Sequence, residues 1–238
     1  MARLGRCFLP HQTLHVIQRG NNREPTFFVD DDYRRYLEWL SEAAAEYGCA
    51  VHAYVLMTNH VHVLATPGSA EALPRAMQSL GRRYVRYVNR EYRRTGTLWE
   101  GRYRACPIDG DEHFFTCCRY IELNPVRAGM VRHPREYPWS SYRAHAEGKP
   151  DALAAEPAIF RRLGTNETER RRNYRNLFRQ PLEEEWLTSL RAATNGGWAF
   201  GNDKFKKKIA KALGRRAEPL PAGRPTQAEK DKRQLNLL

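Results

Sequence analysis

Two histidines separated by one valine, His60 and His62, have the residue types and spacing of a metal-binding pair. Side chains of an extended strand alternate between its two faces, so both imidazoles project from one face while Val61 points into the core on the other. Two imidazoles placed in this way can bind one metal ion from a rigid base. The alternative is a pair of polar side chains on the solvated face of a sheet.

The residues near this pair exclude several known metal chemistries. A zinc hydrolase with an HxHxD run needs an acid at position 64, and a histidine-triad nucleotidase needs a histidine there, but the residue is Leu64. An HExxH helix motif and a CxxC pair are also absent from the sequence. What remains is a site with two histidines and few close carboxylates, with positions open to phosphate oxygens and water.

Tyr120 is the candidate nucleophile. It lies in the segment DEHFFTCCRYIELN, where Phe114, Cys118 and Ile121 recur at the spacing of a buried helical face. Tyr120 and Asn124 are one helical turn apart on a more polar flank, so a phenol and an amide oxygen could face one target together.

A tyrosine has a chemical advantage over water as the attacking group on phosphorus. Attack forms a 5′-phosphotyrosine, which retains the bond energy for a later strand joining, whereas hydrolysis would discard it. A free phenol titrates near pH ~10, so it needs a metal that polarises the phosphate and stabilises the developing charge. The alternative is that Tyr120, one of twelve tyrosines, is half-buried in packing, and the spacing alone favours this alternative.

The elements that would position these residues follow the order βαββαβ. This order is typical of an α+β fold with an antiparallel sheet and helices on one face of it. We expect a further helix to run from Asp111 towards Asn124, whose following proline disfavours helical geometry. The predicted strands cover 12–19, 51–57, 60–66 and 97–108, and the predicted helices between them cover 30–48 and 71–94.

Composition and charge favour a polyanionic partner. The chain has 238 residues, of which 41% are hydrophobic, with 40 Lys and Arg against 27 Asp and Glu. The formal charge of +13 favours nucleic acid, because each neutralised phosphate releases counterions. The sequence offers no run of ~20 apolar residues, no secretory leader and no long basic amphipathic helix, so we expect no membrane partner. Its five cysteines are expected to be reduced thiols of a cytoplasmic protein.

The organisation changes after Lys149-Pro150. We expect three parts: a nuclease domain over 1–149, a basic helical region that contacts DNA over 150–214, and a flexible, Pro-rich charged tail over 215–238. Helical patterns cover 168–179, 182–193 and 202–213. The tail contains Gly223-Arg224-Pro225, a triplet typical of minor-groove binding, although few basic residues flank it.

Five stretches together resemble the REP-associated tyrosine transposases, a group of single-tyrosine HUH transposases of the insertion-sequence 200/605 type. They span most of residues 12–146, in the same order as in the family. The stretches are HVIQRGNNR (15–23), YVLMTNHVHVLATP (54–67), GTLWEGRYRA (96–105), YIELNPVRAGMV (120–131) and YPWSSYRAH (137–145).

The resemblance implies a ferredoxin-like or RRM-like sheet with His60 and His62 as ligands of Mg²⁺ or Mn²⁺. It also implies Tyr120 as the nucleophile and a third ligand four residues later. Many family members have glutamine there, whereas this chain has the shorter Asn124, so water could take that place. Family substrates are single-stranded DNAs folded into hairpins, such as repetitive extragenic palindromes, which are cut and joined without a nucleotide cofactor.

A single-stranded substrate requires a basic track for phosphates and flat groups for bases. We expect the arginines of the 71–94 helix to supply the track, the GNNR turn to supply amides and a guanidinium, and the WEGRY segment to stack on bases. Ordinary solvated arginines and core aromatics are the alternatives. The candidates are Arg19, Asn21, Asn22, Arg23, Arg82, Arg86, Arg90, Arg93, Trp99, Arg102 and Tyr103.

The sequence therefore predicts a metal-dependent transposase and endonuclease, cytoplasmic and associated with the nucleoid, acting as a monomer or homodimer. The alternative is a non-catalytic regulator that binds DNA hairpins and derives from such an enzyme. A general metal-dependent phosphodiesterase is a third hypothesis, which would release product without any protein–DNA bond.

Overall fold

The computed structural model describes residues 9–219, in which four strands form one antiparallel sheet. The order across the sheet is β2-β3-β1-β4. A two-residue turn joins the second and third strands, as the alternating apolar pattern on either side of Thr58-Asn59 predicts. The strands are β1 (Leu14–Arg19), β2 (Cys49–Met57), β3 (His60–Pro67) and β4 (Arg104–Pro107).

Helices connect the strands, and further helices come after the last strand in sequence. Short 3-10 turns cover Asn21–Arg23, Pro134–Glu136 and Ala158–Leu163. The helices are α1 (Asp30–Tyr47), α2 (Ala72–Glu91), α3 (Gly110–Glu122), α4 (Asn124–Arg127), α5 (Tyr142–Glu147), α6 (Glu167–Leu177), α7 (Glu184–Gly196) and α8 (Asp203–Leu213).

The buried carboxylate of Asp32 fixes the start of α1 and joins it to α2. It accepts the backbone N–H groups of Phe28 and Val29, the two residues directly before α1, for which the helix itself offers no acceptor. It also accepts the hydroxyls of Tyr87 and Tyr92, both at 2.8 Å, from α2 and its end. Four donors compensate for the burial of the charge.

Helices α1 and α2 cover one face of the sheet, which confirms the predicted βαββαβ arrangement and the α+β class. The apolar stripe of each helix faces the alternate strand residues that point the same way, Val61 and Val63 among them. Tyr36 of α1 and Tyr84 of α2 meet edge to face in the middle of this core, with ring centroids 4.9 Å apart.

The opposite face of the sheet, to which His60 and His62 belong, is covered as well. Leu64 of β3 lies in a second core with Phe114 and Ile121 of α3 and Leu190 of α7. The histidine face is therefore not a solvated surface, as the alternative interpretation required. Helices that follow the sheet in sequence enclose it.

Two local predictions are wrong. The fourth strand covers only Arg104–Pro107, because the chain bends at Gly96 and Gly101, both at positive φ. Before this strand, Trp99 makes an isolated bridge to Gly20. Asn124 is helical: α3 ends at Glu122, Leu123 keeps right-handed helical angles, and the proline falls in the first turn of α4, where no N–H is needed.

The region after residue 149 is helical, as predicted. The observed α6, α7 and α8 overlap the three predicted patches, and Asn202 caps α8 by accepting the N–H of Phe205. Tyr174 of α6 and Leu187 of α7 lie in the same core as α3, so packing is continuous across the predicted boundary. Most of the predicted tail, including Gly223-Arg224-Pro225, lies outside the described residues.

Within residues 9–219, no helix is long and apolar enough to cross a membrane. The cysteines in this range are buried, reduced thiols, as the sequence predicts, and Cys7 lies outside it. They are Cys49, Cys106, Cys117 and Cys118.

Candidate active site

A pocket of about 240 Å³ opens on the histidine face of the sheet, between the ends of β1 and β3 and the helices α3, α4 and α7. It brings together the four residues to which the sequence and the resemblance assign the chemistry: His60, His62, Tyr120 and Asn124. Seven further residues complete the wall: His15, Ile17, Arg19, Arg127, Arg191, Thr194 and Asn195.

His60 is oriented by the residue before it. Its Nδ1 lies 2.7 Å from Oδ1 of Asn59, whose Nδ2 donates to the carbonyl of Arg23 at 2.7 Å. Because the amide nitrogen is engaged there, Oδ1 is the acceptor and His60 carries its proton on Nδ1. The lone pair of His60 is then on Nε2, the nitrogen a cation could use.

His62 is oriented by another histidine, His15 of β1. Antiparallel pairing places Ile17 opposite His62, so His15 is its diagonal neighbour on the same face. Nδ1 of His62 lies 2.8 Å from Nε2 of His15, and the two rings are within 6° of parallel. His62 and His15 are 2% and 1% exposed.

Burial keeps these imidazoles neutral. It lowers the pKa of His60 to about 4, with the nearby charge of Arg19 acting in the same direction. Burial also lowers the pKa of His62 well below its ordinary value, and neighbouring cations add to the effect. A neutral imidazole is the form that binds a metal, so both rings are competent ligands at neutral pH.

Tyr120 lies directly against the histidines. Its ring meets those of His62 and His15 edge to face, with each pair of centroids 5.5 Å apart. The guanidinium carbon of Arg127 is 4.7 Å from the centroid of the tyrosine ring. Tyr120 is only 4% exposed. The phenol therefore sits between neutral imidazoles and a cation.

Asn124 presents one possible metal ligand to the pocket, its amide oxygen. Its Nδ2 donates to the carbonyls of Tyr120 and Ile121, at 3.0 and 3.3 Å. These bonds orient the amide, so Oδ1 is the atom available to a cation. Arg127 competes for it, because its Nη2 donates to the same oxygen at 3.5 Å.

The donor set fits an ion that takes few ligands from the protein. The residues that line the pocket include no carboxylate, and across residues 9–219 no group of three or more His, Cys, Asp and Glu side chains is placed to hold a metal. Two neutral imidazoles and one amide oxygen leave several coordination positions to water and phosphate oxygens. Mg²⁺ commonly keeps several waters and phosphate oxygens among its ligands, whereas imidazole nitrogen suits softer divalent ions.

Some pocket residues were missed by the sequence analysis. His15 could have been found, because it shares its strand face with Ile17 and Arg19. Arg127 could also have been found, because it lies seven positions, or two helical turns, after Tyr120. The α7 residues could not have been found from the sequence, because only the tertiary fold brings that helix to the pocket.

The GNNR turn lies at the rim of this site. Asn22 and Arg23 are exposed and adopt left-handed backbone angles, with φ of 53° and 62°. Gly20 is required by close packing, since a Cβ there would lie 2.3 Å from the carbonyl oxygen of Glu24. Asn21 donates its N–H to the carbonyl of Leu98, the residue directly before the WEGRY segment.

Two candidates for base stacking are in the core instead. Trp99 is 6% exposed and packs against Tyr36 and Tyr84, and Tyr103 is 7% exposed. The prediction that these rings stack on bases is therefore corrected, because the apolar face beneath α1 and α2 has buried them. Arg102 between them is exposed.

The predicted arginine track lies on the wrong side for this pocket. Arg82, Arg86, Arg90 and the nearby Arg93 are exposed, as predicted. However, α2 covers the sheet face opposite the histidines. Arg19 is the one arginine of the sequence-derived set that lines the pocket.

A second, basic cavity of about 520 Å³ lies beside α6. Arg175 in its wall donates to the carbonyl of Ala146, and Tyr142 and Phe178, which meet edge to face, supply an aromatic floor. The lining residues are His133, Arg135, Tyr142, Arg172, Arg175, Asn176, Phe178 and Arg179.

Comparisons with known proteins address the family and the fold. Residues 9–124 match the sequence model of the family described as "Transposase IS200 like". A comparison with curated proteins finds no match. Among solved structures, the chain is similar to a REP-associated tyrosine transposase bound to a REP hairpin, with a TM-score of 0.54, 16% identity, and coverage of 66% of this chain and 93% of that one. This likeness shows the fold.

A candidate transposase from Deinococcus radiodurans R1 is also similar, with 20% identity over 48% of this chain and 91% of that one, at a TM-score of 0.36. The matched segment of the family model contains the histidine pair, the tyrosine and the asparagine that share the pocket. Residues 9–124 of this chain are thus similar to the IS200-like transposase family.

Proposed function

We propose that this protein is a metal-dependent endonuclease and strand transferase that cuts and rejoins single-stranded DNA through a 5′-phosphotyrosine at Tyr120. The observation that carries the proposal is the contact between Tyr120 and His62 in one cationic pocket. The match of residues 9–124 to a transposase family supports an enzyme that cleaves and transfers DNA, and the pocket offers a nucleophile for that chemistry.

The proposed reaction exchanges one phosphodiester for another. The phenolic oxygen of Tyr120 attacks the scissile phosphorus, the bond from phosphorus to the 3′ oxygen breaks, and that oxygen ends with the proton that the phenol loses. A later attack by a 3′ hydroxyl on the phosphotyrosine reverses these changes and frees Tyr120. Neither water nor a nucleoside triphosphate is consumed, so the bond energy is conserved.

Residues of this chain would hold the cofactor and the phosphate. His60 and His62 would bind Mg²⁺ or Mn²⁺ through Nε2, with Oδ1 of Asn124 or water completing the set. The bound ion would polarise the scissile phosphate. Arg19, Arg127 and Arg191 line the pocket and would neutralise phosphate oxygens.

We propose hairpin DNA, of the kind formed by repetitive extragenic palindromes, as the substrate. The solved structure of similar fold is bound to a REP hairpin. The GNNR turn and the exposed Arg102 would contact single-stranded DNA near the pocket. The arginines of the cavity beside α6 would contact the phosphates of the duplex stem. A cytoplasmic, nucleoid-associated location and a monomeric or dimeric state stay predictions.

One observation favours the second candidate, a non-catalytic hairpin-binding regulator. Tyr120 is 4% exposed, and a pocket of about 240 Å³ is small for a ligand site. For a DNA strand to contact the phenolic oxygen, this pocket would have to widen. A protein that never widens it would bind DNA through its outer basic surfaces alone.

A denaturing gel separates the hypotheses. The protein is incubated with a single-stranded hairpin oligonucleotide that carries a 5′ extension, in the presence of Mg²⁺ or Mn²⁺. We expect a slow-migrating covalent protein–DNA species, absent in EDTA and absent with Tyr120→Phe. The conservative variant keeps the ring, so its packing against His62 is preserved.

Other outcomes overturn the proposal. Tight binding of the oligonucleotide without any adduct would favour the regulator. Free cleaved product that persists in Tyr120→Phe would favour a phosphodiesterase. A matched control is Tyr47→Phe, which removes a hydroxyl from the end of α1, on the far face of the sheet, and should leave adduct formation unchanged.

A further inference from the structure

A chain of buried hydrogen bonds runs from α7 to His62. Thr194 of α7 lies with its Oγ1 2.9 Å from Nδ1 of His15, and Nε2 of His15 lies 2.8 Å from Nδ1 of His62. Each of the three side chains is at most 2% exposed. Thr194 lies outside the segment that matches the family.

Which atom donates and which accepts in each of these hydrogen bonds follows from the first donor, the hydroxyl of Thr194. The hydroxyl of Thr194 donates to the carbonyl of Leu190, one turn earlier in α7, at 2.8 Å. A hydroxyl has one proton, so towards His15 the Thr194 oxygen can only accept. The sulfur of Cys106, 3.1 Å away, then donates to the other lone pair of that oxygen.

This donor assignment fixes both imidazoles. His15 must carry its proton on Nδ1 to donate to Thr194, so its Nε2 is an acceptor. His62 must then carry its proton on Nδ1 to donate to His15, which places the His62 lone pair on Nε2. With the opposite direction, Nε2 of His62 would hold a proton and could not bind a cation.

We infer that His15 and Thr194 are positioning residues that hold His62 in the tautomer able to bind a divalent cation, and that α7 is therefore a component of the metal site. The inference rests on the proposed function in that His60 and His62 hold the ion. The hydrogen bond from Nδ1 of His60 to Asn59 holds His60 in the same tautomer. The two ligands thus present equivalent nitrogens through independent supports.

Nuclear magnetic resonance tests the tautomers without DNA or metal. Long-range ¹H–¹⁵N correlation spectra of protein labelled with ¹⁵N-histidine distinguish Nδ1–H from Nε2–H rings, and His15→Gln and His62→Gln identify the two signals. We expect both rings to be neutral Nδ1–H tautomers at pH 7. A proton on Nε2 of His62 in the native protein overturns the inference.

Titration with Mn²⁺ alone, followed by electron paramagnetic resonance, tests the consequence. Thr194→Val keeps the shape but removes the acceptor, so we expect affinity for Mn²⁺ to fall about 10–100-fold, as for other outer supports of metal ligands. Thr194→Ser restores the hydroxyl and should restore the affinity. Thr188→Val, the same change at an exposed position of α7, is the matched control.

The result that contradicts the inference is native Mn²⁺ affinity in a folded Thr194→Val protein. Neither measurement requires DNA cleavage, so failure here is distinguishable from failure of the proposed function. Absence of a covalent adduct together with the expected tautomers and affinities would reject the transesterase and leave the positioning of His62 intact.

Discussion

Arg127 is the side chain that gives the tyrosine its electrostatic environment. Its guanidinium stacks on the Tyr120 ring, and its Nη1 and Nη2 donate, at 3.5 Å each, to the carbonyl of Tyr120 and to Oδ1 of Asn124. Burial lowers the pKa of Arg127 from its ordinary value, but a guanidinium stays charged in proteins. One cation thus contacts both the proposed nucleophile and the proposed third ligand.

Replacement of this guanidinium should slow catalysis more than binding. We expect Arg127→Ala to reduce the rate of single-turnover adduct formation about 10²–10³-fold, because a preorganised donor near the developing charge is lost. Arg127→Lys keeps the charge but loses the planar stacking, so an intermediate rate is expected. The rates are measured by quenched time courses on denaturing gels.

Arg132→Ala is the control for this prediction, because Arg132 is exposed beyond α4 and lies outside the pocket lining. It removes the same charge from the same segment. A native rate of adduct formation in Arg127→Ala would show that the stacked guanidinium plays no part in the reaction.

At the scale of elements, the position of α3 depends on a buried carboxylate two residues after the tyrosine. Glu122 is fully buried and accepts three side-chain donors, namely Ser141 at 2.6 Å, Nδ1 of His145 at 2.8 Å and the hydroxyl of Tyr174 at 2.8 Å. These donors belong to the segment before α5, to α5 and to α6. One side chain therefore joins α3 to the elements packed behind it.

Loss of this carboxylate should destabilise the fold. We expect Glu122→Ala to reduce the free energy of unfolding by about 3–5 kcal/mol, because the buried donors lose their acceptor. Glu122→Gln keeps the shape and one acceptor oxygen, so a smaller loss of about 1–3 kcal/mol is expected. Urea denaturation followed by circular dichroism measures both.

The matched control is Glu46→Gln on the exposed side of α1, which should change stability by no more than about 0.5 kcal/mol. If Glu122→Ala unfolded at the native urea concentration, the carboxylate would not be the link that holds α3.

For the whole molecule, the two faces of the sheet divide the positive charge. The exposed arginines of α2 lie on the face opposite the pocket. The cavity beside α6 lies on the same side of the sheet as the pocket, because Tyr142 in its wall packs in the same core as α3. A hairpin with its foot in the pocket can therefore reach this cavity without crossing the sheet.

The salt dependence of hairpin binding should identify the stem-binding surface. We expect the double variant Arg172→Ala/Arg179→Ala to reduce the slope of log affinity against log salt by about 1 per arginine, since each phosphate contact releases counterions. Fluorescence anisotropy at several salt concentrations measures the slope. Both arginines are exposed, so the fold should tolerate their loss.

Arg82→Ala/Arg86→Ala removes the same charge from α2 and is the comparison for this experiment. We expect it to leave the slope nearly unchanged. A fall in slope for the α2 pair alone would assign the stem to the arginine track that the sequence suggests, and would reject the cavity.

The sequence by itself determined the strand–helix order, the shared face of His60 and His62, and the helix that carries Tyr120. These features depend on local periodicity, which records which way each side chain points. The same local signals failed at Trp99 and Tyr103, because an aromatic residue that packs and one that stacks on a base have the same side chain. They also failed at Asn124. The residue before a proline usually avoids helical backbone angles, but here helical packing overrode that preference.

The tertiary structure alone decided what surrounds the histidines. Local pattern does not reveal that α3 and α7 cover their face, that His15 supports His62, or that Thr194, 179 positions from His15, sets the polarity of that contact. The reason is physical: a hydrogen-bond chain depends on distances between atoms brought together by packing, and sequence separation does not limit which atoms meet.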